Sequence, residues 1–139
     1  MLRSISQRDF LEPGYLPVTA GLGDDGYIYI PHACNGTATT GDADGNGDGA
    51  GPCRLHVAFH GCEQTIWDVG EQYMTTTGLA AWAGINRMVL LFPQARRTDL
   101  NPKGCFDWWG YTGVDFASQL GVQMKAVQWM VKRLLGTSI

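Results

Sequence analysis

Two short apolar runs do most to limit what this chain can fold into. Residues 54–60 (RLHVAFH) and 88–92 (MVLLF) are β-prone and largely apolar, and they stop at Gly61 and Pro93. Both have the composition of buried strands of the parallel type. Between them, residues 68–86 have helical content interrupted by Gly70, Gly78 and Gly84, which predicts one helix or two short ones crossing over the sheet. Strand, crossover helix and strand make a β-α-β unit, and that unit points to an α/β fold.

The flanking sequence extends this unit at both ends. Residues 26–31 (GYIYIP) alternate β-formers and end at a proline, which suits a strand near an edge; the residues before them read mostly as loop. Near the other end Phe116, Leu120, Met124, Val127, Val131 and Leu134 recur at helical spacing, with Asp115 at the start and Lys132 and Arg133 before Gly136. This predicts an amphipathic helix covering one sheet face. The expected architecture is one α/β domain over residues 1–139 with a mostly parallel sheet. Only three strands can be counted, so the sheet has two unpaired edges and the core reads as unfinished.

The stretch between Cys34 and Cys53 is Gly, Asp, Asn, Thr and Ala with no large apolar residue, which predicts a flexible insertion over residues 36–52. The four cysteines, Cys34, Cys53, Cys62 and Cys105, contain no C-x-x-C pair and read as two disulfides rather than a zinc site. A Cys34–Cys53 bridge would close that insertion and stabilise the fold by about 3 kcal/mol on the chain-entropy model. Disulfides imply an oxidising compartment, whereas residues 1–14 lack the order of a secretory signal, so a longer precursor is expected. Residues 42–48 match the early positions of an EF-hand loop, but the twelfth position is Cys53 where a glutamate is needed, which favours an acidic linker. Asn35-Gly36-Thr37 forms a glycosylation sequon.

Charge and hydropathy exclude other classes. The net charge is -3, and the ten basic residues are scattered without a run or an aromatic-basic stripe. Nothing in that arrangement would neutralise a nucleic-acid backbone, and no apolar stretch approaches the roughly twenty residues of a membrane-spanning helix. No metal or cofactor is expected.

The chemistry-bearing candidate is the turn His60-Gly61-Cys62, directly after an apolar strand. In ester hydrolases of the α/β type one backbone N–H of the oxyanion hole comes from such a turn, where glycine admits a close approach to the substrate carbonyl. The plainer reading is that Gly61 ends a strand and His60 is a hydrogen-bonded core residue. A thiol nucleophile at Cys62 with His60 or His56 as base is a third reading, weakened by poor geometry along a strand end and by Cys105 in a second glycine-preceded turn. A Cys62–Cys105 disulfide would instead tie the two turns together.

The segments CRLHVAFHGCEQ, NRMVLLFPQA and NPKGCFDWWGYTG, in that order, closely resemble the poly(3-hydroxybutyrate) depolymerase family of esterases, a resemblance running over about residues 10–135. It implies an α/β-hydrolase-type three-layer core, in some members circularly permuted so that the nucleophile precedes this region. It also implies that Cys62, after Gly61, supplies an oxyanion-hole amide, that Trp108, Trp109 and Tyr111 face a polyester or short-chain ester substrate, and that the protein is extracellular or periplasmic. One departure stands out. The family attacks with a serine on a G-x-S-x-G-like elbow, and none of Ser4, Ser6, Ser118 and Ser138 has that context. The expectation is a part of a serine esterase that lacks the nucleophile and is inactive alone, completed by a nucleophile-bearing half. The alternative is a non-catalytic domain holding a polyester or carbohydrate surface.

Overall fold

The computed structural model describes residues 1–35 and 52–137. Four strands, β1 (Leu2–Ser6), β2 (Asp25–Tyr29), β3 (Arg54–Val57) and β4 (Met88–Phe92), form one sheet in the order β1-β2-β4-β3. The β3/β4 pair is parallel, as a β-α-β unit demands, but β1/β2 and β2/β4 are antiparallel. The expectation of a mostly parallel sheet is therefore corrected to a mixed one. Strand β2 itself runs antiparallel to β4, and β1, which sequence reading missed, adds a second antiparallel pair: LRSIS carries only two apolar residues, and it pairs along one edge of β2 in full register from Leu2↔Tyr29 to Ser6↔Asp25. Its presence also moves β2 from the expected edge to an interior position between β1 and β4.

Strand β4 is the strand best specified by its own sequence. Val89, Leu90, Leu91 and Phe92 are all buried, and alternation sends them to opposite faces. Val89 and Leu91 join Ile28, Phe10, Leu22, Val122, Ala126 and Met130 in one cluster; Leu90 and Phe92 join Ala58, Met74 and Ala83 in another. The sheet is thus covered on both faces, which is the three-layer arrangement.

The crossover from β3 to β4 is three short helices, α1 (Ile66–Val69), α2 (Gln72–Thr76) and α3 (Leu79–Ile85). Gly70 and Gly78, both at positive φ, end α1 and precede α3, whereas Gly84 lies inside α3. The last helix, α4 (Val122–Leu134), starts six residues after Phe116, later than its apolar spacing predicts. Residues 115–121 turn back so tightly that a Cβ on Gly121 would lie 2.8 Å from the Phe116 carbonyl oxygen, and helix begins only beyond it. The face that packs is consequently Val122, Ala126 and Met130, one turn apart, with Val127, Val131 and Leu134 beside it; Leu120 and Met124 are exposed.

Disulfides Cys34–Cys53 and Cys62–Cys105 are both formed. The expected flexible insertion lies outside the described residues except for Pro52, as do the EF-hand-like stretch and Gly36 and Thr37 of the sequon. Among the described residues no cluster of side chains could hold a metal ion, and no helix is long and apolar enough to cross a membrane.

Candidate functional site

Strands β3 and β4 run parallel, so their carboxyl ends deliver two loops to the same rim of the sheet, the place where open α/β sheets bind ligands. The β3 end continues into Phe59-His60-Gly61-Cys62 and the β4 end into Pro93-Gln94-Ala95. Two buried glutamine side chains brace the second loop. Gln7 donates to the Gly23 and Gln94 carbonyls at 2.8 and 2.9 Å and accepts from the Gln94 amide at 2.9 Å. Gln94 in turn accepts from the Ile66 amide at 2.9 Å, fixing the start of α1.

His60 is buried between these loops, against the rings of Phe106 and Tyr73. The Ala95 amide donates to its Nε2 at 3.1 Å, so that nitrogen carries a lone pair; Nδ1 therefore bears the proton and donates to the Gly61 carbonyl at 2.7 Å. Burial pushes the imidazole below its ordinary pKa of 6.5, keeping it neutral, with the Gly61 hydrogen bond and Asp68 opposing only in part. Both nitrogens are committed, which removes His60 as a general base. Cys62, spent in a disulfide, is no thiol nucleophile. His56 packs edge-on against Trp82 on α3 and takes no part in the turn.

In the turn itself the Gly61 amide donates to Gln64 Oε1 at 2.8 Å, and the Glu63 amide donates to the Lys103 carbonyl at 2.8 Å. Between them, the Cys62 N–H makes no hydrogen bond among the described residues, and Cys62 is exposed. Below the turn, Asp68 accepts from the Thr65 amide and hydroxyl in a capping box and pairs with Arg97, whose Nη1 reaches the Pro102 carbonyl at 2.7 Å. Burial raises the Asp68 pKa, and the Thr65 hydroxyl, the Arg97 guanidinium and the Thr65 amide more than reverse it, holding the carboxyl below its usual range.

The Cys62–Cys105 bridge joins this turn to the tryptophan loop. That loop wraps one carboxylate: Asp107 accepts from the amides of Trp109, Gly110, Tyr111 and Thr112 at 2.6–3.1 Å and from the Thr112 hydroxyl at 2.7 Å. Burial alone would raise its pKa; the bonds from the Thr112 hydroxyl and from the Thr112, Gly110 and Trp109 amides outweigh it and hold the carboxyl low. Tyr111 turns its hydroxyl inward, donating to the Cys105 carbonyl at 2.8 Å and accepting from Gln123 at 2.9 Å, with burial pushing its pKa up to about 12. Gly21, at φ 66°, lies so close beneath that a Cβ there would fall 2.5 Å from the tyrosine ring. Trp108, 72% exposed, and Trp109, 42% exposed, stand outward in edge contact with each other.

The structure thus brings Gly61, Cys62 and Cys105 into one covalently closed rim, with Trp108 and Trp109 on the adjoining loop. It directs the polar end of Tyr111 into the support rather than the surface. The organising roles of Asp107, Gln7 and Gln94 were missed at the level of sequence; an aspartate followed within five residues by glycine and threonine is the signal that marks the first. Ser4 and Ser6 lie on β1, Ser118 donates to the Asp115 carbonyl in an exposed turn, and Ser138 lies outside the described residues.

No family model matches the chain. Over 82% of its length it is 40% identical to a poly(3-hydroxybutyrate) depolymerase of Delftia acidovorans, and over 83% it is 34% identical to a polyhydroxybutyrate depolymerase of Talaromyces funiculosus. It spans only 20% and 34% of those two relatives. The crystal structure of the PHB depolymerase from Penicillium funiculosum matches 98% of the chain at a TM-score of 0.76 and 31% identity, with the chain spanning 41% of it. A serine-to-alanine variant of PHB depolymerase complexed with an R3HB trimer matches equally well.

Proposed function

Because this chain is, over most of its length, a relative of one part of the poly(3-hydroxybutyrate) depolymerases, we propose that it forms the oxyanion-binding and substrate-facing part of a secreted serine esterase acting on a short-chain polyester. The observation that carries the reading is Cys62: an exposed residue whose N–H has no acceptor among the described residues, covalently tied to a loop that presents two exposed tryptophans. As a nucleophile attacks an ester carbonyl, negative charge builds on the carbonyl oxygen. A fixed amide donor aimed at that oxygen lowers the barrier by about 3 kcal/mol. Trp108 and Trp109 offer apolar contact area at low entropy cost to a repeating ester chain.

In this reading the described residues supply no serine elbow, and attack comes from a serine carried elsewhere in the full hydrolase, passing through an acyl-enzyme. The open side of β3 is where such a part would join. Alternation in the β3/β4 pair turns the Leu55 and Val57 backbone groups away from β4, and they meet no partner strand among the described residues. The two disulfides accord with an oxidising, extracellular setting.

The test is p-nitrophenyl butyrate hydrolysis by the purified 139-residue chain, with and without a serine-reactive organophosphate. No turnover is expected. Inhibitor-sensitive turnover with a labelled serine would show that the chain carries its own nucleophile and would end the partial-site reading. In parallel, retention of the chain on polyester granules should drop severalfold in Trp108→Ala; unchanged retention would remove that ring from the substrate surface.

A further inference from the structure

Proline apart, a peptide group has two polar ends, and in the trans form its C=O and N–H point in opposite directions. The carbonyl of Gly61 and the amide of Cys62 belong to the same peptide group, and the described chain has no cis peptide bond. Whatever holds the Gly61 carbonyl therefore sets the direction of the Cys62 N–H. His60 Nδ1 holds it, at 2.7 Å.

We infer that His60 is a positioning residue, a buried clamp that aims the Cys62 N–H outward by gripping the far end of the same peptide group. The use of that amide rests on the oxyanion reading above; the clamp itself does not. Three features make the grip stiff. The Ala95 amide occupies Nε2 at 3.1 Å and so fixes both the ring's orientation and its tautomer. Phe106 and Tyr73 pack the ring at centroid distances of 5.0 and 6.3 Å, leaving His60 only 4% exposed. The neighbouring amides on both sides are already engaged, Gly61 by Gln64 and Glu63 by the Lys103 carbonyl, which anchors the chain before and after this peptide and leaves the His60 bond as the one that fixes the plane between them.

The ring does its work only when neutral. A protonated imidazole would put a hydrogen on Nε2 facing the Ala95 N–H, donor against donor, and the ring would have to move. The charged groups around this turn are Asp68, Arg97, Glu63 and Lys103; they pair among themselves, with Arg97 on Asp68 and Lys103 on Glu63 at 3.4 Å. None of them makes a hydrogen bond to the ring.

The experiment is NMR on the full chain labelled with nitrogen-15. Long-range nitrogen–proton spectra of His60 should show a protonated Nδ1 and a bare Nε2 at neutral pH; the opposite tautomer would overturn the clamp outright, with no variant needed. In His60→Phe, which keeps an aromatic ring and loses both bonds, the Cys62 amide signal should shift or split and its exchange with water should change severalfold. A folded His60→Phe chain with an unaltered Cys62 signal, while the Ala95 signal moves, would reduce His60 to a packing residue and defeat the inference. Neither readout involves substrate, so each stands or falls separately from the esterase reading, which is decided by the hydrolysis assay.

Discussion

The turn at His60–Cys62 and the loop at 107–112 are two ends of one disulfide-joined rim, and each is organised by a single side chain in opposite ways. At the turn a neutral ring donates to one carbonyl and accepts from a distant amide, and the Cys62 N–H is left without an acceptor among the described residues. At the loop an ionised carboxylate gathers four amides and a hydroxyl, consuming the local main-chain donors and leaving side chains, Trp108 and Trp109, as what the surface displays. On the function proposed above, the contrast lets one rim offer a polar contact from backbone and apolar contacts from rings, according to what the organising residue takes up.

The comparison depends first on the bond between the two regions. Replacing Cys105 with alanine removes a crosslink between residues 43 apart and should destabilise the fold by about 4 kcal/mol on the chain-entropy model. Urea unfolding of the variant checks this; a midpoint within error of the parent would mean that turn and loop hold each other without the bridge. Next in size is Asp107→Ala, which breaks five hydrogen bonds to two carboxylate oxygens and should cost about 3 kcal/mol, given that bonds to a charged group are each worth about 1.5–3 kcal/mol and that water recovers part of the loss. Tryptophan fluorescence should shift in the folded variant as the loop loosens. An unshifted spectrum would assign the loop's shape to Gln123 and Tyr111 instead.

The smallest effect separates the two organisers by pH. His60 has a folded pKa below its unfolded 6.5, so the unfolded chain takes up a proton first; the stability it contributes is complete above 6.5 and declines as pH falls through that value toward the folded one. Asp107 is likewise depressed, but from 3.8, so its share persists through the histidine range and is lost only as pH falls below 3.8 toward its folded pKa. Thermal melts from pH 7 to 3 should therefore show an early decline that His60→Phe abolishes and a later one that Asp107→Asn reduces. A single decline near 4 in the parent would contradict the depressed imidazole.

Much of this rim was legible from residue types. The apolar run of β4 announces a strand buried on both faces, and cysteines flanking a polar segment or following glycine turns announce their own pairing. The rest depends on partners distant in sequence. Strand β1 is too sparsely apolar to declare itself and gains its place from pairing with β2. The late start of α4 comes from the chain doubling back at Gly121, whereas the apolar spacing runs straight through it. Gln7 resembles an ordinary surface glutamine until Gly23 and Gln94 are brought to it, from sixteen and eighty-seven residues away. His60 could be assigned to a core or to a catalytic pair from sequence; only the two bonds on its nitrogens decide between them.

Strand β4 has a consequence of another kind. Its four consecutive interior residues contribute to both hydrophobic clusters, so neither cluster has a complete wall without it. The layer with α2 and α3 and the layer with α4 therefore cannot melt as independent bodies, since dissolving either one exposes the back of the strand that lines the other. Cooperativity is built into the middle of the sheet, and the rim at its end is carried on the loops leaving β3 and the strand that both clusters share, where opening costs the most buried surface.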